Sequence, residues 1–261
     1  MTQVPSRFGA VLTGSLTAAA VLTQVAHPLL RDETLRRTTI GSVLVFSAAA
    51  VADAARRSGP GSAVRTLAVA GGAGLLAEAV GTRTGRPFGR YRYAGTLGPQ
   101  VLDVPVVVPL AWTMVAQPAL HLGRRLASGT RGPLRHVAVV GTAAWTLASW
   151  DLFLDPQMTA AGHWAFAAPR PHLPGVPGVP LSNYAGWLLT ATVISALLHA
   201  TTPEDDHPSS TVPATLLGWT WLGSVVGNAV FFRRPLVAAY GGVGMGLTVL
   251  PYLRSLRRGR R

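Results

Sequence analysis

Four carboxylates stand where long apolar runs begin or end. They are Glu78 in "GLLAEAVGTRTG", Asp103 in "PQVLDVPVVV", and Asp151 and Asp155 in "SWDLFLDPQM". Asp151 and Asp155 are four apart, which puts them on one helix face, a turn apart. Two carboxylates that close, partly out of water, cannot both ionise easily. One then keeps its proton, and a neutral acid beside a carboxylate suits proton transfer near neutral pH. The same spacing also suits a pair at a helix C-terminus bridged to loop arginines. Pro156 disfavours the α conformation at Asp155 and predicts that the helix ends there. Glu78 is a lone acid in an apolar run, which makes it a functional candidate by default; its other reading is a partner for Arg83 or Arg86. Pro105 and Pro109, one turn apart, favour either a kink near Asp103 with carbonyls freed beside a cavity, or simple entry into a helix.

The segments around these acids are spelled unusually. In "GRPFGRYRY", residues 85–93, Gly85, Pro87 and Gly89 shape a tight turn. Tyr91 and Tyr93 share an alternating side and offer π-faces and hydroxyls. Arg90 and Arg92 point either at the carboxylates or at lipid headgroups. Residues 162–187, "GHWAFAAPRPHLPGVPGVPLSNYAGW", are too rich in Pro and Gly for a helix and read as an interfacial segment. Trp164, Phe166, Tyr184 and Trp187 there suit an aromatic belt at a membrane surface. His163 and His172 lack metal-ligand spacing, and no metal is expected. "EDDHPSS", 204–210, lacks a second acidic repeat and reads as a solvated loop. His27 and His121, near run ends, read as structural.

The elements that must position these groups follow from hydropathy. Half of the chain is apolar and only 13% is charged, well below the quarter usual for a soluble domain. Apolar runs recur at about 8–30, 38–55, 64–81, 104–122, 134–154, 184–201, 212–232 and 235–253. The expectation is one all-α integral membrane domain over 1–261, a polytopic bundle of seven to eight spans. A Pro/Gly-rich loop at 156–183 and a basic tail at 254–261 complete it. The first run is read as a retained helix rather than a cleaved signal, since "TQVAHP" is a poor cleavage site. Small residues at Ala48–Ala50 and Gly71–Gly74 let helices approach closely.

Sequential crossing puts the loops at 31–37, 82–103, 155–183 and 233–234 on one face. Glu78, Tyr91, Tyr93, Asp103, Asp151, Asp155 and Asn183 then gather near that face, as a polar pocket at the rim of the bilayer. Thirteen of the 23 arginines fall on the other face. The positive-inside rule therefore places both termini in the cytoplasm of a plasma-membrane protein.

Composition also excludes chemistry. There is no Cys, hence no disulfide, thiol nucleophile or thiolate-held cluster. Every basic residue is Arg, and without Lys there is no Schiff base to retinal or pyridoxal phosphate. The net charge of +13 sits in short loops and the tail, as expected beside anionic lipid, and does not indicate nucleic acid.

"GRPFGRYRYAGTLGPQVLDVPVVVPLAW" and "DLFLDPQMTAAGHWAF…GVPLSNYAGW" resemble the two signature regions of the carotenoid biosynthesis protein family, which includes carotenoid hydratases. The likeness runs from Glu78 to Trp112 and from Asp151 to Trp187. Trp164-Ala165-Phe166 stands where the family carries Trp-x-Trp, and "PRPHLPGVPGVP" replaces a Tyr-rich stretch. The resemblance implies hydration of a terminal C=C bond of an acyclic carotenoid, with no cofactor. The proton donor would be Asp155 or Asp151, with Glu78 or Asp103 as a second base. Tyr91, Tyr93, Trp112 and Trp164 would stabilise a carbocation, with Asn183 and Arg90 also lining the substrate site. The partners implied are the carotenoid, the lipid bilayer and other enzymes of the pathway. The alternatives are a non-catalytic carotenoid- or lipid-binding scaffold and a small transporter.

Overall fold

A computed structural model describes residues 7–203 and 211–258. "EDDHPSS" and the last three tail residues lie outside the described residues. Eight long helices account for most of the chain: α1 (Arg7–Ala26), α2 (Asp32–Ser58), α3 (Pro60–Thr84), α4 (Val107–Leu126), α5 (Gly132–Ala160), α6 (Leu181–Thr201), α7 (Thr211–Phe231) and α8 (Pro235–Arg258). Two of them widen into π-helical turns, α3 at Leu67–Gly71 and α7 at Gly227–Phe231. Such bulges mark places where packing or function overrides the regular hydrogen-bond ladder.

Seven helices form a ring around the eighth. Following the packing contacts, the ring runs α1, α2, α3, α6, α5, α8, α7 and back to α1. The central helix is α4, which packs on α2, α3, α5, α6, α7 and α8. Fourteen of its 20 residues are buried, so lipid touches little of it. This explains a difference from the hydropathy reading. The seven ring helices are each long and apolar enough to cross a membrane, but α4 is not. It carries Gln117, His121, Arg124 and Arg125, which a helix walled off from lipid can keep when neighbours hydrogen-bond them. Thr66 Oγ1 of α3 sits 3.4 Å from Gln117 Oε1, and Arg124 donates to the carbonyl of Thr202 at 2.7 Å. The outer faces carry exposed Phe8, Leu22, Leu76, Val137, Leu189 and Val243, apolar residues turned toward acyl chains.

One end of the bundle is built by the two loops singled out above. β1 (Tyr91–Tyr93) pairs antiparallel with β4 (Trp164–Phe166), opposing Tyr91 to Phe166 and Tyr93 to Trp164. This ladder ties the segment after α3 to the segment after α5 on one face. A smaller pair, β2 (Gln100–Val101) and β3 (Val104–Pro105), turns the chain into α4. Pro105 and Pro109 thus belong to helix entry: α4 starts at Val107, and no kinked span runs past Asp103.

Pro156 does not end its helix. α5 continues to Ala160, and the connecting loop is 161–180 rather than 156–183. Proline at this position removes one hydrogen bond near the helix end. Burial of Phe153, Asp155 and Met158 and a 2.7 Å bond from Thr159 Oγ1 to the Asp155 carbonyl hold the last turn.

Candidate active site

Glu78 lies near the end of α3 and is buried. Neither Arg83 nor Arg86 meets it. Its carboxylate accepts hydrogen bonds from three aromatic side chains instead. The Tyr91 hydroxyl makes a very short bond to Oε2, the Tyr93 hydroxyl reaches the same oxygen at 2.8 Å, and the Trp112 indole N–H reaches Oε1 at 3.1 Å. The strand alternation foreseen for β1 delivers this: Tyr91 and Tyr93 face inward while Arg92 is exposed. Burial, with the Glu78 carboxylate beside them, pushes both phenols well above their ordinary range. They therefore stay protonated and serve as donors.

Close helix approach makes this contact. A Cβ on Gly74 would stand 2.6 Å from Trp112 Cδ1, so only glycine lets the indole lie against α3, one turn before Glu78. A Cβ on Gly81 would meet the Phe88 ring at 2.8 Å and the Tyr91 hydroxyl at 3.0 Å.

The second acidic group sits one and two turns before the end of α5. Asp151 and Asp155 are both buried, and one Asn183 amide joins them. Its Nδ2 donates to Asp151 Oδ2 at 2.7 Å and makes a very short bond to Asp155 Oδ2. Pro180, just before α6, is extended and starts that helix, which places Asn183 in its first turn. The loop arginines are not partners of this pair, so the helix-end salt-bridge reading does not describe it. Asp151 Oδ1 has no hydrogen-bond partner among the described residues.

Between and around these groups lies a cavity of about 430 Å³, the size of a small-molecule site. Glu78, Asp155 and Asn183 line one end of it, and Asp151 stands behind them. The walls are aromatic and aliphatic. Trp112 stacks on Trp187 at 3.9 Å, and Trp150 meets Trp187 edge-on. Tyr93 meets Trp164 edge-on at 5.6 Å, and Tyr91 lies 5.4 Å from Phe166. The cavity crosses to α1, α2 and α7, where His27, Thr39, Thr220 and Asn228 line it. Several lining residues on α1 and α7, namely Val25, Leu222, Val226 and Phe231, are also exposed on the outer surface. The cavity therefore has a mouth facing lipid between α1 and α7.

The remaining sequence candidates fall elsewhere. Asp103 is exposed in the β2–β3 turn at φ 67°, with Arg83 3.8 Å away, and does not reach the cavity. Arg90 and Arg92 are exposed and do not point at the carboxylates. The pleat that turns the tyrosines inward turns Arg92 outward. His163 pairs with Thr96 and His172 with a backbone carbonyl, and no group of three metal-ligating side chains occurs among the described residues. Sequence reasoning took Trp187 for a belt residue and passed over Trp150. The missed signal was spacing: Trp187 is four after Asn183, on the same face of α6, and Trp150 adjoins Asp151. Nothing local marks the α7 wall.

Such a site can protonate an apolar alkene and hold a cation between π-faces and a fixed carboxylate. Residues 39–249 match the family model described as "Carotenoid biosynthesis protein". A bisanhydrobacterioruberin hydratase of Haloarcula japonica is 40% identical over 122 residues, which is 44% of this chain and 38% of that relative. The match thus spans well under half of the relative's length. No solved structure matches.

Proposed function

The chain belongs to the carotenoid biosynthesis protein family, and from that premise we propose that it is a hydratase that adds water across a terminal C=C bond of an acyclic carotenoid. The observation that carries this reading is the placement of Asp155, Glu78 and Asn183 at one end of an apolar, tryptophan-walled cavity open to lipid. A transporter path would need polar groups through the depth of the bundle, whereas these acids cluster at one rim.

In this reading the end group enters between α1 and α7, and most of the long polyene stays in the bilayer. Asp155, the member of its pair that lines the cavity, acts as the acid in its neutral form. Its proton bonds to the less substituted alkene carbon through the π electron pair, leaving a tertiary cation. Trp112, Trp187 and Trp164 present π-faces to that cation. The Glu78 carboxylate already accepts three hydrogen bonds, so it serves as a fixed negative charge rather than as the proton carrier. Water bonds to the cation and gives its extra proton to the Asp155 carboxylate, which restores the acid. The net change is addition of one water, giving a tertiary alcohol. Asp151 and Asn183 hold Asp155 in place. Localisation to the plasma membrane, and association with other enzymes of the pathway, belong to the same proposal.

The test is expression in a host that accumulates lycopene or another acyclic carotenoid, with mass analysis for a product heavier by one water. Asp155→Asn should lower product formation by about 10²–10⁴-fold, the range for loss of a general acid. If no acyclic carotenoid is hydrated, the hydratase reading fails. If Asp155→Asn and Asp151→Asn both keep full activity, the assignment of the acid fails.

A further inference from the structure

The ends of α5 and α6 away from the β1–β4 cap carry a pair of imidazoles that the hydration chemistry leaves unused. His136 stands in the second turn of α5 and His199 in the last turn of α6, and the two helices pack against each other. His136 Nδ1 and His199 Nε2 lie 3.0 Å apart, with ring centroids 5.1 Å apart and ring planes at 49°. His136 is exposed and His199 half-buried, so the pair lies at the surface of the seam between the helices. Neither histidine lines the cavity.

Between two neutral imidazoles one ring donates its N–H and the other accepts. A metal ion takes the place of that shared hydrogen when both nitrogens turn a lone pair toward it. Imidazole nitrogens suit Zn²⁺ and Ni²⁺, and a Zn–N bond is about 2.0–2.1 Å long. Two such bonds meeting at about 90–109° put their nitrogens about 2.9–3.4 Å apart. The observed 3.0 Å falls inside that span. The nitrogens therefore already stand at chelating distance, and only the rings have to swing. The terminal torsion of histidine has a broad well, so the swing costs little. Exposure of His136 leaves the outer side of the ion open to water, which completes the coordination. A hard cation such as Mg²⁺ prefers oxygen ligands and gains little from two imidazoles.

We propose that His136 and His199 form a two-histidine site for a transition-metal ion, of the Zn²⁺ or Ni²⁺ class, in the seam between α5 and α6. The site stands apart from the hydratase reading and does not rest on it. Its consequence is mechanical. α5 carries Asp155 and α6 carries Asn183 at the other end of the same seam, so a bound ion fastens together the two helices that bring acid and amide into contact.

The experiment is a calorimetric titration of the purified full-length chain in detergent, carrying no histidine tag, with Zn²⁺, Ni²⁺ and Mg²⁺ in turn. The wild-type chain should bind one Zn²⁺ or one Ni²⁺ and no Mg²⁺. His136→Ala, and independently His199→Ala, should weaken Zn²⁺ binding at least about tenfold, since loss of even a group that supports a metal ligand costs about 10–100-fold. His172→Ala, in the loop at the opposite end, should bind as the wild type does. Zn²⁺ should also raise the unfolding midpoint of the wild-type chain, as any ligand of the folded state does, and leave the midpoints of the two seam variants where they were. A wild-type chain that takes up neither Zn²⁺ nor Ni²⁺ overturns the proposal. Binding that survives undiminished in the seam variants, or that His172→Ala weakens equally, overturns it as well. Melting without metal shows whether each variant folds, and if one does not, the other decides.

Discussion

At the scale of single residues, the proposed site rests on two carboxyl groups held in different ways. Glu78 is gripped by three aromatic donors, and Asp155 shares one amide with Asp151. Hydrogen bonds to a charged partner in a buried place are worth about 1.5–3 kcal/mol. Tyr93→Phe should therefore slow hydration by roughly ten- to a hundredfold if that bond is made at full strength in the transition state; an unchanged rate would remove Tyr93 from the mechanism. Glu78→Gln keeps the shape but removes the charge facing the cation, and should cost more than Tyr93→Phe in the same product assay. These acids were legible in the sequence because charge inside an apolar run is rare. The partner of each was not legible. Arg83 and Arg86 are nearer to Glu78 in sequence than the tyrosines are, and only the pleat of β1 and the path of α4 show which side chains reach it.

At the scale of elements, two close approaches and one seam govern the site. Gly74 admits Trp112 and Gly186 admits the Pro87–Phe88 turn, where an added Cβ would meet Phe88 at 2.8 Å. Overpacking of this kind costs typically 1–3 kcal/mol, so Gly74→Ala should lower the unfolding midpoint in detergent and weaken hydration together. A variant with wild-type melting and activity would show that Trp112 moves aside freely. The seam between α1 and α7 makes a prediction about access. Val226→Trp narrows the mouth and should raise KM for a full-length carotenoid several-fold more than for a short acyclic alkene. Equal effects on both would place the entrance elsewhere. Span positions were readable from hydropathy to within a few residues at most ends, but α2 starts at Asp32 rather than 38, α8 runs on to Arg258, and α5 continues past Pro156, where burial overruled local preference.

At the scale of the whole molecule, the β1–β4 ladder binds two distant loops into one cap, which fixes their sidedness relative to each other. Reporter insertions after residues 95 and 170 should report the same compartment, and a fusion at the C-terminus the opposite one. Different answers at 95 and 170 would break the eight-helix order. The general class, a helical membrane bundle, followed from the apolar runs. The ring around α4 did not, because hydropathy ranks a helix by its own residues and says nothing of what encloses it. That enclosure bears on biogenesis. A ribosome that has released only α1 to α4 presents the insertion machinery with a fourth segment too polar to leave the aqueous channel by partition alone. It must wait for later helices to be made and then move laterally in their company. Nascent chains truncated shortly after residue 130 should accordingly leave α4 open to protease, and chains extended through α6 should protect it.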